Sequence, residues 1–453
     1  MTDTICAIST PSGVGGIAVV RLSGDKAVEI VATVLHLHGR TQSVQECTPY
    51  HVYLADFMDE KEVLDQTLVS IFKAPHSYTG ENVVEVSCHG SSYVQQRILE
   101  VLIHAGARLA RAGEFTERAF LNGKLDLSQA EAIADIIHAE SKQAHQLAVK
   151  QLRGGVSRKI AELRSQLLQF ASLIELELDF SEEDIQFADR TQLLALLGTI
   201  KADITQLTDS FKLGGSIKQG IPVAIVGKPN VGKSTFLNAV LNDDRALVSD
   251  IPGTTRDTIE EKMTIHGVHF RLIDTAGIRQ SKDTIETMGI ERAYKAIEQA
   301  QIVLCIIENS RFQDVEELLD NIDVSDKQLL ILVNKTEHLQ QSGISEYHGH
   351  AVFYMAAKYN KGIAPIVQRL SDYVQDRTVV ADTVLISNVR HYEALTRAGE
   401  SLKAIEQGFQ AGLSSDLIAI DIRMVINELG AITGEISNDE ILQNIFGRFC
   451  IGK

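Results

Sequence analysis

One stretch limits what this chain can fold into more than any other. Gly227-Lys-Pro-Asn-Val-Gly-Lys-Ser234 follows an apolar run, Ile221-Pro-Val-Ala-Ile-Val226, and precedes a helix-forming stretch, Thr235 to Leu241. The G-x-x-x-x-G-K-[ST] spacing in that setting predicts a strand, a tight loop and a helix whose first amides point at an anion. Its glycines let backbone N–H groups wrap a triphosphate, Lys233 neutralises the β/γ charge, and the Ser234 hydroxyl binds Mg²⁺. Downstream, Phe270 to Asp274, Ile302 to Ile307 and Leu329 to Val333 are near-continuous apolar runs, as strands of a parallel sheet covered on both faces are. Residues 220–376 therefore read as a doubly wound α/β domain with a mostly parallel sheet.

The flanks read differently. Residues 1–122 alternate β-type runs (Ile17 to Leu22, Val52 to Ala55, Thr67 to Phe72, Asn82 to Val86) with helical stretches such as Val94 to Ala105, which suggests an α+β domain. From Leu125 a helical period takes over, through Leu127, Ala130, Ile133, Ile137, Ala144, Ala148 and Leu152. It runs to about Leu213, broken near the acidic stretch at 175–184, which reads as a solvated helix junction, with a metal site as the alternative. Gly214-Gly215-Ser216 reads as a linker, and the helical period returns after Arg377. The α/β domain is thus expected as an insertion into one discontinuous helical domain, 123–219 with 377–453. With 453 residues, 44% hydrophobic and 23% charged, the chain has the composition of a multidomain globular protein.

Five cysteines, at 6, 47, 88, 305 and 450, are widely spaced and form no C-x-x-C pair, so free thiols are expected. Cys6, Cys47, Cys88 and Cys305 should pack as small apolar groups. The start carries no basic stretch before an apolar core, and no apolar run reaches the roughly 18 residues a membrane helix needs. A soluble, cytoplasmic protein without membrane segments is the expectation.

Two further elements narrow the nucleotide to a guanine nucleotide. Asp274, Thr275, Ala276 and Gly277 end a strand, offering a carboxylate near Mg²⁺ and a glycine amide near the γ-phosphate. Asn334, Lys335, Thr336 and Glu337 stand where guanine is usually read by Asn-Lys-x-Asp, with Glu in place of Asp. Ala356, Ala357 and Lys358 replace the usual Ser-Ala-Lys purine loop, where backbone amides carry most of the contact. Ile278 occupies the position at which many small GTPases place a water-orienting Gln. Asn230, with the loop Ser249, Asp250, Ile251, Pro252, Gly253, Thr254, Thr255, Arg256 and Asp257, is rich in carbonyls and hydroxyls, and can hold a monovalent cation where an arginine finger would otherwise reach.

These motifs, with the block Gly113-Glu-Phe-Thr-Glu-Arg-Ala-Phe-Leu-Asn-Gly-Lys-Leu-Asp-Leu127 and the terminal Cys450-Ile-Gly-Lys453, resemble the MnmE family (also called TrmE), the bacterial tRNA-modification GTPases, over essentially the whole chain. The resemblance implies an N-terminal tetrahydrofolate-binding and dimerisation domain, a discontinuous helical domain and an inserted Ras-like G domain. It implies GTP bound by Asn230, Val231, Gly232, Lys233, Ser234 and Thr235, by residues 249–255 and 274–277, and by Asn334, Lys335, Glu337 and residues 356–358. Mg²⁺ would be held by Ser234 and Thr255, and K⁺ by Asn230, Ser249, Ile251 and Thr254. Glu286 resembles the family's water-positioning carboxylate. Arg21, Glu85, Lys124 and Lys453 would surround a 5,10-methylene- or 5-formyltetrahydrofolate, with Cys450 nearby. A pterin edge suits a carboxylate, and its glutamate tail wants cations. The family's partners would be a second copy of the chain, tRNA, and an MnmG-like protein carrying FAD and using NADH, joined in a heterotetramer. A regulatory or ribosome-assembly GTPase switch is the rival reading, since it shares the central domain.

The formal charge of −17 and the acidic balance of each of the four parts argue against nucleic-acid binding by bulk electrostatics. Any tRNA affinity of the chain alone should be weak and salt-sensitive.

Overall fold

The computed structural model of the chain describes residues 3–39, 43–179, 190–241, 246–248, 261–273, 294–308, 311–336, 344–378, 384–436, 439–447 and 449–453. They form two compact units: Met1–Ala134 with Gln151–Ala161 and Leu429–Lys453, and Asp135–Lys150 with Glu162–Glu428.

The first unit is built on a seven-stranded sheet. Its strands are β1 (Ile5–Ile8), β2 (Ile17–Ser23), β3 (Leu35–Leu37), β4 (Val52–Asp59), β5 (Glu62–Phe72), β6 (Val83–His89) and β7 (Arg108–Leu109), in the order β3-β4-β5-β6-β2-β1-β7. β7 runs parallel to β1 and every other pairing is antiparallel. Alternation along the strands decides which side chains are buried. Ala18, Val20 and Leu22 of β2 and Tyr53, Ala55 and Phe57 of β4 join Val31 of α1 (Ala27–Ala32) and Ile98 and Leu102 of α2 (Ser92–His104) in one core. Arg21 and Glu85 fall on the opposite face, directly across from each other in the β2–β6 register. α2 starts where Ser91 Oγ accepts the Val94 amide at 3.1 Å, an N-cap that satisfies one of the first free amides. After α3 (Glu114–Leu121), Leu127 and Ala130 of α4 (Leu127–Ile137) pack with Phe446 and Phe449, from and beyond the helix Asp439–Phe446.

In the second unit, α5 (Lys142–Leu152), α6 (Gly155–Asp179) and α7 (Arg190–Gln219) precede an eight-stranded sheet. Gly214-Gly215-Ser216, expected as a linker, lies inside α7. Gly214 meets the Ile386 carbonyl so closely that a methyl group there would overlap it. Ser216 Oγ donates to the Lys212 carbonyl at 2.6 Å and accepts from Gln301 Nε2. Tertiary packing therefore overrides the weak helix preference of two glycines.

The sheet has the order β14-β15-β13-β12-β8-β11-β10-β9. Its strands are β8 (Ile221–Val226), β9 (Ala246–Val248), β10 (Glu261–Ile265), β11 (Val268–Ile273), β12 (Ile302–Glu308), β13 (Gln328–Asn334), β14 (Glu346–Tyr347) and β15 (His350–Tyr354). Pairings among β11, β8, β12, β13 and β15 are parallel, and those to β9, β10 and β14 are antiparallel. Val223, Leu304, Ile306 and Leu330 point into one core, while Ala224, Val303, Cys305 and Leu329 point into another. The sheet is thus covered on both faces, which is why its central strands are apolar throughout. Helices α8 (Lys233–Leu241), α9 (Gln313–Asn321) and α10 (Ile363–Thr378) belong to this part. α11 (Val389–Gln410) packs on α7, with Phe211 and Tyr392 stacked at 4.5 Å, and α12 (Ser415–Thr433) follows. Among the described residues, no helix is long and apolar enough to cross a membrane.

Candidate functional site

β8 runs straight into the phosphate loop. Gly227 (φ +146°) and Gly232 (φ +100°) hold backbone conformations that side chains resist, and a methyl on Gly227 would overlap the Ile306 carbonyl. Asn230, at φ 65°, is left-handed, which Asn tolerates better than most residues. Lys233 opens α8, and its Nζ donates to the carbonyls of Gly227 at 2.7 Å and Lys228 at 3.0 Å. Burial pulls its ammonium below the ordinary lysine value. Carbonyl dipoles hold this cation, and an anion beside it would relieve its desolvation. Ser234 and Thr235 are exposed beside it.

Asn334, at the end of β13 and 4% exposed, closes the far side. Its Nδ2 donates to the Val231 carbonyl at 2.7 Å and its Oδ1 accepts from the Ala357 amide at 3.1 Å. One side chain therefore ties the phosphate loop to the Ala356-Ala357-Lys358 segment, and Gly232 leaves room for the Asn334 amide. Thr336 Oγ1 donates to the Met355 carbonyl at 2.9 Å, fixing the start of the next turn. Ser249, Asp250, Ile251, Pro252, Gly253, Thr254, Thr255, Asp274, Thr275, Ala276, Gly277, Glu286 and Glu337 lie outside the described residues.

The first unit carries a second arrangement. Arg21 Nε and Nη2 both lie 2.8 Å from Glu85 Oε1. The guanidinium lies 5.3 Å from the Tyr78 ring centroid and 5.7 Å from that of Phe115, within cation–π range of both. The Tyr78 hydroxyl bonds Thr116 Oγ1 at 2.8 Å. Lys124 Nζ donates to the Pro75 carbonyl at 3.0 Å, on the segment that leads to Tyr78. The C-terminal tail docks on the same unit: Ile451 bridges Ala112, and Ser9 Oγ donates to the Gly452 carbonyl at 3.0 Å. Gly452 (φ +96°) lies so close to the Ile8 carbonyl that no side chain fits. Lys453 thus ends beside β1, whose Ala7 faces Arg21 across the ladder. Tyr78 and Phe115 escaped the sequence reading. Phe115 sits in the Gly113-Glu-Phe-Thr block and Tyr78 directly precedes Thr79-Gly80, but only the fold reveals that they flank Arg21.

Cys450 is exposed and the other four cysteines are buried. Burial pushes the thiols of Cys6 and Cys305 up to about 12 and that of Cys88 to about 11, so none of these three supplies a thiolate near neutral pH. Among the described residues, no group of three or more His, Cys, Asp and Glu is placed to hold a metal ion.

A parallel strand, a glycine-walled loop folded around a partly desolvated lysine and an Asn that ties it to a second recognition segment define a phosphate-loop nucleotide-binding protein of the GTPase class. Family models described as "MnmE helical domain" and "GTP-binding protein TrmE N-terminus" match residues 127–450 and 4–124. The protein named tRNA modification GTPase MnmE of Christiangramia forsetii is 48% identical, with 100% of both chains covered. Its namesake in Flavobacterium psychrophilum is 47% identical over 100% of this chain and 99% of its own, and that of Porphyromonas gingivalis 45% over 100% and 98%. Among solved structures, Era of Aquifex aeolicus is 24% identical, covering 40% of this chain and 65% of its own, at a TM-score of 0.26, too low to bear on the fold. The chain belongs to the MnmE (TrmE) family of tRNA modification GTPases.

Proposed function

We propose that this MnmE-family chain is a K⁺-stimulated GTP hydrolase acting in tRNA modification. With an MnmG-like partner that carries FAD and uses NADH, it adds a carboxymethylaminomethyl or aminomethyl group to carbon 5 of the wobble uridine of certain tRNAs. The observation that carries the GTPase reading is the partly desolvated Lys233 ammonium, held by carbonyls inside a glycine-walled loop and open to an anion. Lys233 and the loop amides would hold the β/γ-phosphates, Ser234 with Thr255 would take Mg²⁺, and Asn230 with Ser249, Ile251 and Thr254 would take K⁺. Asn334, Lys335 and Glu337 would read the base against residues 356–358, and Glu286 would orient the attacking water. Bound Mg²⁺ and K⁺ would supply the charge that offsets the developing transition state.

The folate reading is supported by the Arg21–Glu85 pair. Arg21 Nε and Nη2 both approach Glu85 Oε1, holding the carboxylate in place where it would meet the amide and amino edge of a pterin. Lys124 and Lys453 would meet the glutamate tail, with Cys450, whose carbonyl accepts the Lys453 amide at 3.3 Å, near the site. The four-part division into 1–122, 123–219, 220–376 and 377–453, a cytoplasmic homodimer and the heterotetramer with the partner belong to the same proposal. The tail docked on the first unit favours it over a switch without RNA chemistry, which has no use for such an arrangement.

Three measurements test it. Hydrolysis by the full chain should be faster in K⁺ than in Na⁺, and Glu286→Ala should nearly abolish it while nucleotide affinity holds. Calorimetry should show 5-formyltetrahydrofolate binding that Glu85→Ala weakens. Loss of the gene should remove the wobble-uridine modification by nucleoside mass spectrometry; an intact modification would sink the reading.

A further inference from the structure

Two lysines at the rim of the nucleotide site pair with carboxylates. Lys228 lies in the phosphate loop and Lys335 follows Asn334. The end of β12 and the start of α9 supply carboxylates to them. Lys335 Nζ lies 3.0 Å from Glu308 Oε1. Lys228 Nζ lies 2.8 Å from Asp314 Oδ1 and 3.2 Å from Glu317 Oε2, and these bonds, Asp314 first, raise its pKa. Two backbone bonds lie between these carboxylates: the Arg311 amide donates to the Glu308 carbonyl and the Asp314 amide to the Arg311 carbonyl, each at 3.1 Å. Glu308 faces Asn334 in the β12–β13 register, so it stands at the root of the base-reading turn. Lys335 itself is left-handed at φ 61°, a conformation that non-glycine residues avoid unless something holds it.

We infer that Glu308 is a positioning residue for base recognition, resting on the guanine-nucleotide reading of the site. Its carboxylate draws the Lys335 ammonium to one side, which leaves the four-carbon stem free to lie along the face of the base. Asp314 ties the phosphate-loop rim to the start of α9. Glu308 acts through Lys335 and touches no reacting atom.

The test is a double-mutant cycle on the full chain, read by the release of fluorescently labelled GDP. Glu308→Gln should raise the Kd for GDP about two- to five-fold, the range of a half-exposed ion pair, through faster release and with kcat unchanged. In a Lys335→Met background, which keeps most of the stem, the same substitution should cost nothing further. Equal losses in both backgrounds, or none in either, would overturn the role of Glu308 while wild-type binding keeps the guanine reading intact. A wild-type chain that holds no GDP would overturn both.

Discussion

The phosphate loop takes its groups from consecutive residues, Gly227 to Ser234, whereas the arrangement in the first unit collects Arg21, Tyr78, Glu85, Phe115, Lys124 and the tail 450–453 from both ends of the chain. The loop needs a strand before it and a helix after it, and local glycine conformations do the rest. The other arrangement exists only while β2, β6, the segment before Thr79 and the last residues are held together. A local motif therefore fails through its own residues, and an assembled one fails through contacts far from its chemistry.

The contrast can be broken most sharply at Lys233. Lys233→Ala should lower kcat/KM for GTP hydrolysis by about a hundred-fold or more, the size of losing a preorganised charge contact, and leave the folate binding proposed for the first unit unchanged. The converse substitution is Gly452→Val. It forces a side chain into the Ile8 carbonyl at positive φ and should weaken 5-formyltetrahydrofolate binding by at least about ten-fold, with basal GTP hydrolysis intact. Equal damage to both activities by either variant would mean that the two sites are not separable.

Gly214→Ala addresses the helix rather than a site. Alanine ordinarily stabilises a helix interior by about 0.5–1 kcal/mol over glycine, but overlap with the Ile386 carbonyl should reverse the sign to a loss of about 1–3 kcal/mol in urea unfolding. A stabilised variant would show that the contact is not close.

The smallest effect is expected from acid. Burial would push the Asp3 carboxyl up, but bonds to Arg108 and the charge of Arg118 outweigh it and hold the group low. Glu114 behaves alike, with Arg108, the Arg111 amide and Arg118 overcoming its burial. Since both folded values lie below the ordinary 3.8 and 4.5, their contribution is complete above those values and is lost as pH falls through the lowered ones. Amide exchange in β1 and β2 should therefore speed up below about pH 4, corrected for intrinsic rates. Protection unchanged down to pH 2 would contradict it.

Much of this was legible in advance. The runs of β8, β12 and β13 are apolar at every position because both faces are covered, so their pattern shows without knowledge of partners. Asn334 was visible as part of Asn-Lys-x-Glu, but its two bonds to Val231 and Ala357 were not, since nothing local says that these segments meet. Gly214-Gly215-Ser216 misled because glycine marks a chain break and a close helix contact with the same letter.

The sequence alone determined the phosphate loop and the apolar core strands around it, because each depends on backbone preference and burial within a few residues. Only the tertiary structure decided that the tail lies along β1, that Tyr78 and Phe115 flank Arg21, and that Glu308 and Asp314 hold the rim lysines. Those contacts join residues far apart in the chain, where the energy of packing and charge pairing, and no local rule, selects the neighbour.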